Sequence, residues 1–192
     1  MVDKLEVKKH VSKYLKVANV LNELTDPCII KATNDSGGYK IIKDGKEIEK
    51  APGRLTKHRF TPYGVDKGEW WYGEIPPRYF IEEFLPSHKI DYQFHCLDGK
   101  SRLLQVRSAL EDRDRVFNND LVDIDTKIND KNAYDKTLLP PENYERMKWI
   151  AEELAAPFKY VRVDLFNVND DIYFGEMTFA PAGGKVNPNI TL

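Results

Sequence analysis

Four side chains near the C-terminal end of the sequence could do chemistry together: Arg162, Asp164, Glu176 and Thr178. They sit in two runs rich in Val, Ile, Phe and Tyr, residues 161–166 and 172–179, flanking an Asn/Asp turn, and such a pair reads as a β-hairpin. Side chains alternate faces along a strand, so Val161, Val163 and Leu165 can enter a core while Arg162 and Asp164 share the opposite face. Glu176 and Thr178 also share a face, and an odd-numbered loop of three or five residues sets that face beside Arg162 and Asp164. Oxygen ligands with room left for water and phosphate oxygens suit Mg²⁺. The solvated face of an edge hairpin would show the same pattern. The continuation from Glu176 into Pro181-Ala182-Gly183-Gly184 favours a ligand, because a Pro/Gly turn after an acidic strand lets backbone approach a bound anion.

A second candidate lies far upstream. Lys31 ends a short apolar strand at 27–32, and Ser36-Gly37-Gly38 follows, before a further strand at 39–42. An ammonium beside a Ser-Gly-Gly loop with free backbone N–H groups is an arrangement for phosphate. The spacing fits neither GxxxxGK[ST] nor GxGxxG, and an ordinary strand, lysine and tight turn is the competing reading. Glu82, in the run 79–85, and Asp91 flank a polar connector at 86–89; these acceptors could take an adenine amino group and ribose hydroxyls, with Phe84 and Leu85 as apolar walls. A charged strand end explains them equally.

The elements that must hold these residues follow from periodicity and punctuation. Leu5, Val11, Leu15, Ala18, Val20 and Leu21 among lysines predict an amphipathic helix over 3–24. Residues 47–74, with Arg54, Lys57, His58, Arg59, Trp70, Trp71 and Tyr72, read mostly as packing, since Asp66, Glu69 and Glu74 cancel the field that a nucleic-acid groove needs. Residues 91–97 and 101–106 around Asp98-Gly99 form a hairpin. Residues 111–136 are dense in charge and predict a long loop, either a lid or a solvated excursion. Pro140-Pro141-Glu142 opens a helix with Met147, Ile150, Ala151 and Leu154 on one face.

Composition sets the limits. A chain of 192 residues suits one domain or two small lobes. A net charge of -2 gives no basic footprint for nucleic acid and no membrane-directed charge block, which also disfavours a metal-dependent nuclease. Cys28 and Cys96 lie in apolar surroundings and read as reduced core residues, which together with the absence of an apolar leader or spanning run predicts a cytoplasmic protein.

Taken in order, Ile30-Lys31, Ser36-Gly37-Gly38, the Gly68-Glu69-Trp70-Trp71-Tyr72 run, residues 76–85, residues 91–96 and the hairpin 161–166/173–179 resemble the TupA-like branch of the ATP-grasp superfamily. The resemblance implies an α+β fold in which two lobes with antiparallel sheets clasp a nucleotide, divided as a helical segment 1–25, a small lobe 26–85 and a large lobe 86–192. It implies ATP and Mg²⁺ as cofactors. Lys31 would contact the phosphates, and Ser36, Gly37 and Gly38 would close over them. Glu82 would take the adenine amino group, backbone of Glu83 and Leu85 would complete that slot, and Asp91 would hold ribose. Asp164 and Glu176 would bind the metal and Arg162 would face the reacting phosphoryl group. In place of the Asn common two residues after the metal-binding Glu stands Thr178, which offers one hydroxyl. The implied activity is carboxylate–amine ligation through an acylphosphate, on a small-molecule, glycan or peptide acid in cell-surface polysaccharide biosynthesis. A kinase that stops after phosphoryl transfer and a catalytically degenerate nucleotide-binding or scaffold protein are the alternatives. The short N-terminal part leaves substrate-binding surface to be supplied by a second copy or a partner chain.

Overall fold

The computed structural model describes residues 3–50, 64, 68–85, 90–108, 111–124, 128 and 132–184. Its contacts separate two compact units, Met1–Leu85 and Pro86–Leu192.

The first unit opens with helix α1, Lys4–Val11. Asp3 caps it, its carboxylate accepting from the backbone N–H groups of Leu5 (2.9 Å) and Glu6 (3.3 Å). The predicted helix over 3–24 therefore stops less than halfway, and the chain continues as two short strands, β1 (Lys16–Val17) and β2 (Val20–Leu21). The cause is tertiary: Asn19 donates its backbone and side-chain N–H groups to the Glu83 carboxylate at 2.9 and 3.0 Å, and its carbonyl accepts from Glu83 N at 3.0 Å. An open strand edge thus outcompetes a modest helical periodicity. Strands β3 (Cys28–Ala32), β4 (Tyr39–Lys43), β5 (Lys46–Lys50) and β6 (Tyr79–Glu83) complete an antiparallel sheet in the order β2-β6-β3-β4-β5. A 3₁₀ turn at Trp70–Glu74 precedes β6. Arg54, Lys57, His58 and Arg59 lie outside the described residues.

In the second unit, β7 (Ile90–Leu97), β8 (Lys100–Ser108), β9 (Arg113–Asn118), β10 (Ala133–Tyr134), β11 (Tyr160–Val168) and β12 (Asp171–Thr178) run in the order β12-β11-β7-β8-β9-β10. Every pairing along that order is antiparallel except β9 with β10. Helix α2, Tyr144–Ala155, covers one face, where Met147, Ala151 and Ala155 are buried and the Tyr144 ring stacks on Phe94. That face carries Val161, Val163, Leu165, Leu104 and Val106, all fully buried. The opposite face carries the charged residues.

The predicted loop over 111–136 begins instead with strand β9. Its charges concealed the strand because they are consumed internally: Arg113 pairs with Asp135 and Glu111, and Arg115 Nε donates to Asp123 at 2.8 Å. Both cysteines are free and buried, and burial pushes the Cys96 thiol up to about 12, which keeps it protonated and inert. No helix among the described residues is long and apolar enough to cross a membrane.

Candidate functional site

Each unit carries one cluster. In the second, β11 and β12 are joined by a two-residue turn, Asn169-Asp170, with φ of 51° and 67° at its two residues. An even loop alone would set Asp164 against Gly175 and turn Glu176 to the other face. A β-bulge between Asp164 and Leu165 absorbs Gly175, so that Asp164 faces Glu176 and Arg162 faces Thr178. The four predicted residues do share a patch, and the parity comes from a turn of two plus a bulge of one rather than from an odd loop. A Cβ on Gly175 would lie 2.9 Å from the Phe166 ring and 3.0 Å from the Asp164 carbonyl oxygen, so the bulge is built for glycine.

The patch is tightly bonded. Arg162 grips Asp164 in a fork, Nε to Oδ1 at 2.7 Å and Nη2 to Oδ2 at 2.6 Å, and Nη2 also donates to the Thr178 hydroxyl at 3.1 Å. Gln93 Nε2 reaches Asp164 Oδ2 at 3.3 Å from β7, on the far side. Burial pulls the Arg162 guanidinium down and the Asp164 carboxylate pulls it up harder, so it remains charged. Burial pushes the Asp164 carboxyl above its ordinary value against the opposing pull of that guanidinium.

The donor set suits Mg²⁺. Two carboxylates stand face to face, and of the two lone pairs on Asp164 Oδ1 only one is engaged by Arg162. Among the described residues no three His, Cys, Asp or Glu side chains gather at one point. A cation here would take most of its shell from phosphate and water, which is the habit of Mg²⁺.

The same sheet face continues inward as a polarised row. The Tyr160 hydroxyl lies 2.9 Å from His95 Nδ1, His95 Nε2 lies 3.3 Å from Gln105 Oε1, and Gln105 Nε2 donates to Asp114 Oδ2 at 2.6 Å, where Asn132 Nδ2 also donates at 2.8 Å. Gln105 Oε1 can only accept, so the His95 proton is on Nε2 and Nδ1 accepts from Tyr160. Burial, with the Arg162 charge adding to it, depresses His95 to about 3, leaving the imidazole neutral. Asp91 lies on this face too, opposite Arg107.

In the first unit, Lys31 Nζ lies 2.6 Å from Glu82 Oε2, and the other Glu82 oxygen pairs with Lys8 Nζ, which also donates to the Ala18 carbonyl at 3.0 Å. Burial would raise the Glu82 carboxyl, yet the ammonium groups of Lys31 and Lys8 hold it down at about 2. Both Glu82 oxygens therefore rest on cations, one on Lys31 and one on Lys8. Lys8 itself is depressed by burial against the attraction of Glu82. Sequence reasoning missed Lys8; the signal was Asp3 capping a short helix, which turns Lys8 inward one turn later.

Ser36 donates its N–H to Asp35 Oδ1 at 2.7 Å, and Gly37 has φ 77°, a conformation that favours glycine. The loop is anchored from below: Thr33 and Asp35 are fully buried, and Thr33 Oγ1 donates to the Pro76 carbonyl at 2.8 Å. Gly38 and Leu85 are buried as well. The Glu83 N–H donates to the Asn19 carbonyl at 3.0 Å.

A family model described as TupA-like ATPgrasp matches residues 1–190. Among solved structures, D-alanine–D-alanine ligase from Helicobacter pylori is 16% identical, with 95% of this chain and 55% of that one covered and a TM-score of 0.52. The D-alanine–D-alanine ligase from Bacillus anthracis complexed with ATP is 14% identical over 92% of this chain and 52% of that one, with a TM-score of 0.46. The ATP-grasp ligase PsnB, complexed with a phosphomimetic variant of its minimal precursor, Mg and ADP, is 12% identical over 93% of this chain and 49% of that one, with a TM-score of 0.47. The chain spans about half the length of these structures. No curated protein matches.

Proposed function

The chain belongs to the TupA-like ATP-grasp family, and from that membership we propose that it is an ATP-dependent ligase joining a carboxylate to an amine through an acylphosphate. The observation that carries the reading is the Arg162, Asp164, Glu176 and Thr178 patch, held in register by the Gly175 bulge. Asp164 and Glu176 would hold Mg²⁺, which when bound neutralises charge on the transferring phosphoryl oxygens. Lys31, held by Glu82 and seconded by Lys8, would bind ATP phosphates, and the Ser36-Gly37-Gly38 loop would close over them. Glu83 and Leu85 would frame the adenine, and Asp91 the ribose.

The substrate carboxylate attacks the γ-phosphorus and ADP leaves. The amine then adds to the acyl carbon, and the tetrahedral oxyanion collapses with loss of phosphate. Arg162 stabilises the negative charge at both stages from a fixed position, because Asp164 and Thr178 hold its guanidinium. One preorganised donor of this kind supplies about 10²- to 10³-fold in rate. The acid and amine are assigned to cell-surface polysaccharide or peptide building blocks, with a second copy or partner chain completing the substrate surface and the reaction in the cytoplasm.

Hydroxylamine tests the chemistry. With ATP, Mg²⁺ and a panel of uronic and amino acids, a ligase yields hydroxamate in step with ADP. ADP without hydroxamate identifies a kinase. Bound ATP with no ADP across the panel overturns the enzymatic reading and leaves a nucleotide-binding scaffold.

A further inference from the structure

Gln93 faces Asp164 directly across the β7–β11 pair, so their Cβ atoms are about 5 Å apart. It is 2% exposed. Its amide is half used: Nε2 donates to Asp164 Oδ2, while Oε1 is buried with no hydrogen-bond partner among the described residues. A buried amide oxygen left unsatisfied keeps its full desolvation cost, which a ligand to that oxygen would relieve. Neighbouring side chains on that face are committed elsewhere. Gln105, opposite Gln93 on β8, spends its oxygen on His95 and its nitrogen on Asp114, and Arg162 spends its fork on Asp164 and Thr178.

Resting on the metal reading above, we propose that the Gln93 side-chain carbonyl is a third protein oxygen of the cation site, for a hard divalent cation such as Mg²⁺. Amide carbonyls belong to the oxygen ligands such ions accept. The switch is chemical. A cation on the Asp164 carboxylate repels the Gln93 N–H that donates to it, and the terminal torsion of glutamine turns freely enough to present Oε1 in its place. The Thr178 hydroxyl is a weaker claimant, because it already accepts from Arg162.

Two substitutions separate a ligand from a structural prop. Gln93→Met and Gln93→Glu both lose the N–H donated to Asp164, and only Gln93→Glu keeps an oxygen. The readout is Mn²⁺ affinity, from electron paramagnetic resonance titration of the full chain with a non-hydrolysable ATP analogue. The expected results are a loss of about 10- to 100-fold in Gln93→Met and wild-type or tighter binding in Gln93→Glu. Equal weakening in both variants, or no change in Gln93→Met, overturns the ligand assignment. Should Gln93→Met fail to fold, Gln93→Glu alone decides, since weaker Mn²⁺ binding there is incompatible with an oxygen ligand. Glu176→Gln is the control for the underlying reading: if it binds Mn²⁺ as the wild type does, the metal site itself is wrong, whereas its failure beside an unaffected Gln93→Met removes only the role of Gln93.

Discussion

Asp164 stands opposite Glu176 because the ladder between them passes over one residue, Gly175. A two-residue turn fixes an odd residue sum for every pair, two even-numbered residues need an even sum, and the bulge supplies the difference. The acidic pair is therefore a product of the bulge as much as of the two strands. Glycine is required there because any side chain would meet the Asp164 carbonyl and the Phe166 ring.

Replacing or removing Gly175 separates packing from function. Gly175→Val is expected to cost about 1–3 kcal/mol through overpacking, read by urea denaturation. Deleting Gly175 instead restores a regular ladder, so the thermal midpoint should stay within a few degrees of the wild type. Without Gly175 the two-residue turn alone sets Asp164 opposite the glutamate, so Mn²⁺–nucleotide affinity should be retained, and its loss would contradict a bulge that serves only to bring the two carboxylates into register.

Neutralising either carboxylate should cost activity, with different effects on stability. Glu176→Gln is expected to retain the fold and lose about 10²- to 10³-fold in ADP formation. Asp164→Asn should lose as much activity and also about 3 kcal/mol of stability, because the Arg162 guanidinium stays buried without its counter-charge. Equal stability of the two variants would contradict the buried ion pair.

The two units should lose stability in different pH windows. His95 is neutral in the folded state with its pKa near 3, while an unfolded histidine takes a proton near 6.5. The second unit is thus unpenalised above 6.5 and weakens as pH falls from there toward 3, by up to about 1.4 kcal/mol per pH unit. Glu82 is depressed to about 2 from the ordinary 4.5, so its contribution is complete above 4.5 and is lost as pH falls toward 2. Fluorescence resolves the two, since Trp70 and Trp71 report on the first unit and Trp149 on the second. His95→Gln should flatten the upper window and Glu82→Gln the lower.

Much of the fold was legible because the signals were local. Asp98-Gly99 with φ of 51° and 71°, the alternating runs of β7, β8, β11 and β12, and the 3.6-residue spacing of α2 all survive into the structure. Four features were not legible, each for a non-local reason. Residues beyond Val11 left the helix because Glu83, more than sixty positions away, captures Asn19. Strand β9 was hidden by charges whose partners, Asp123 and Asp135, lie downstream. The bulge and the buried Lys8 depend on contacts that spacing alone does not encode. The patch residues were found because alternation on two strands nearly suffices, and only the parity needed the structure.

The central claim is that Asp164 and Glu176 hold the metal of a nucleotide complex. A crystal structure of the full chain with a non-hydrolysable ATP analogue and Mn²⁺, phased to show anomalous metal signal, tests it most directly. The account predicts Mn²⁺ bound by Asp164 and Glu176 together with phosphate oxygens of the nucleotide. A nucleotide bound with its metal peak away from both carboxylates would contradict it.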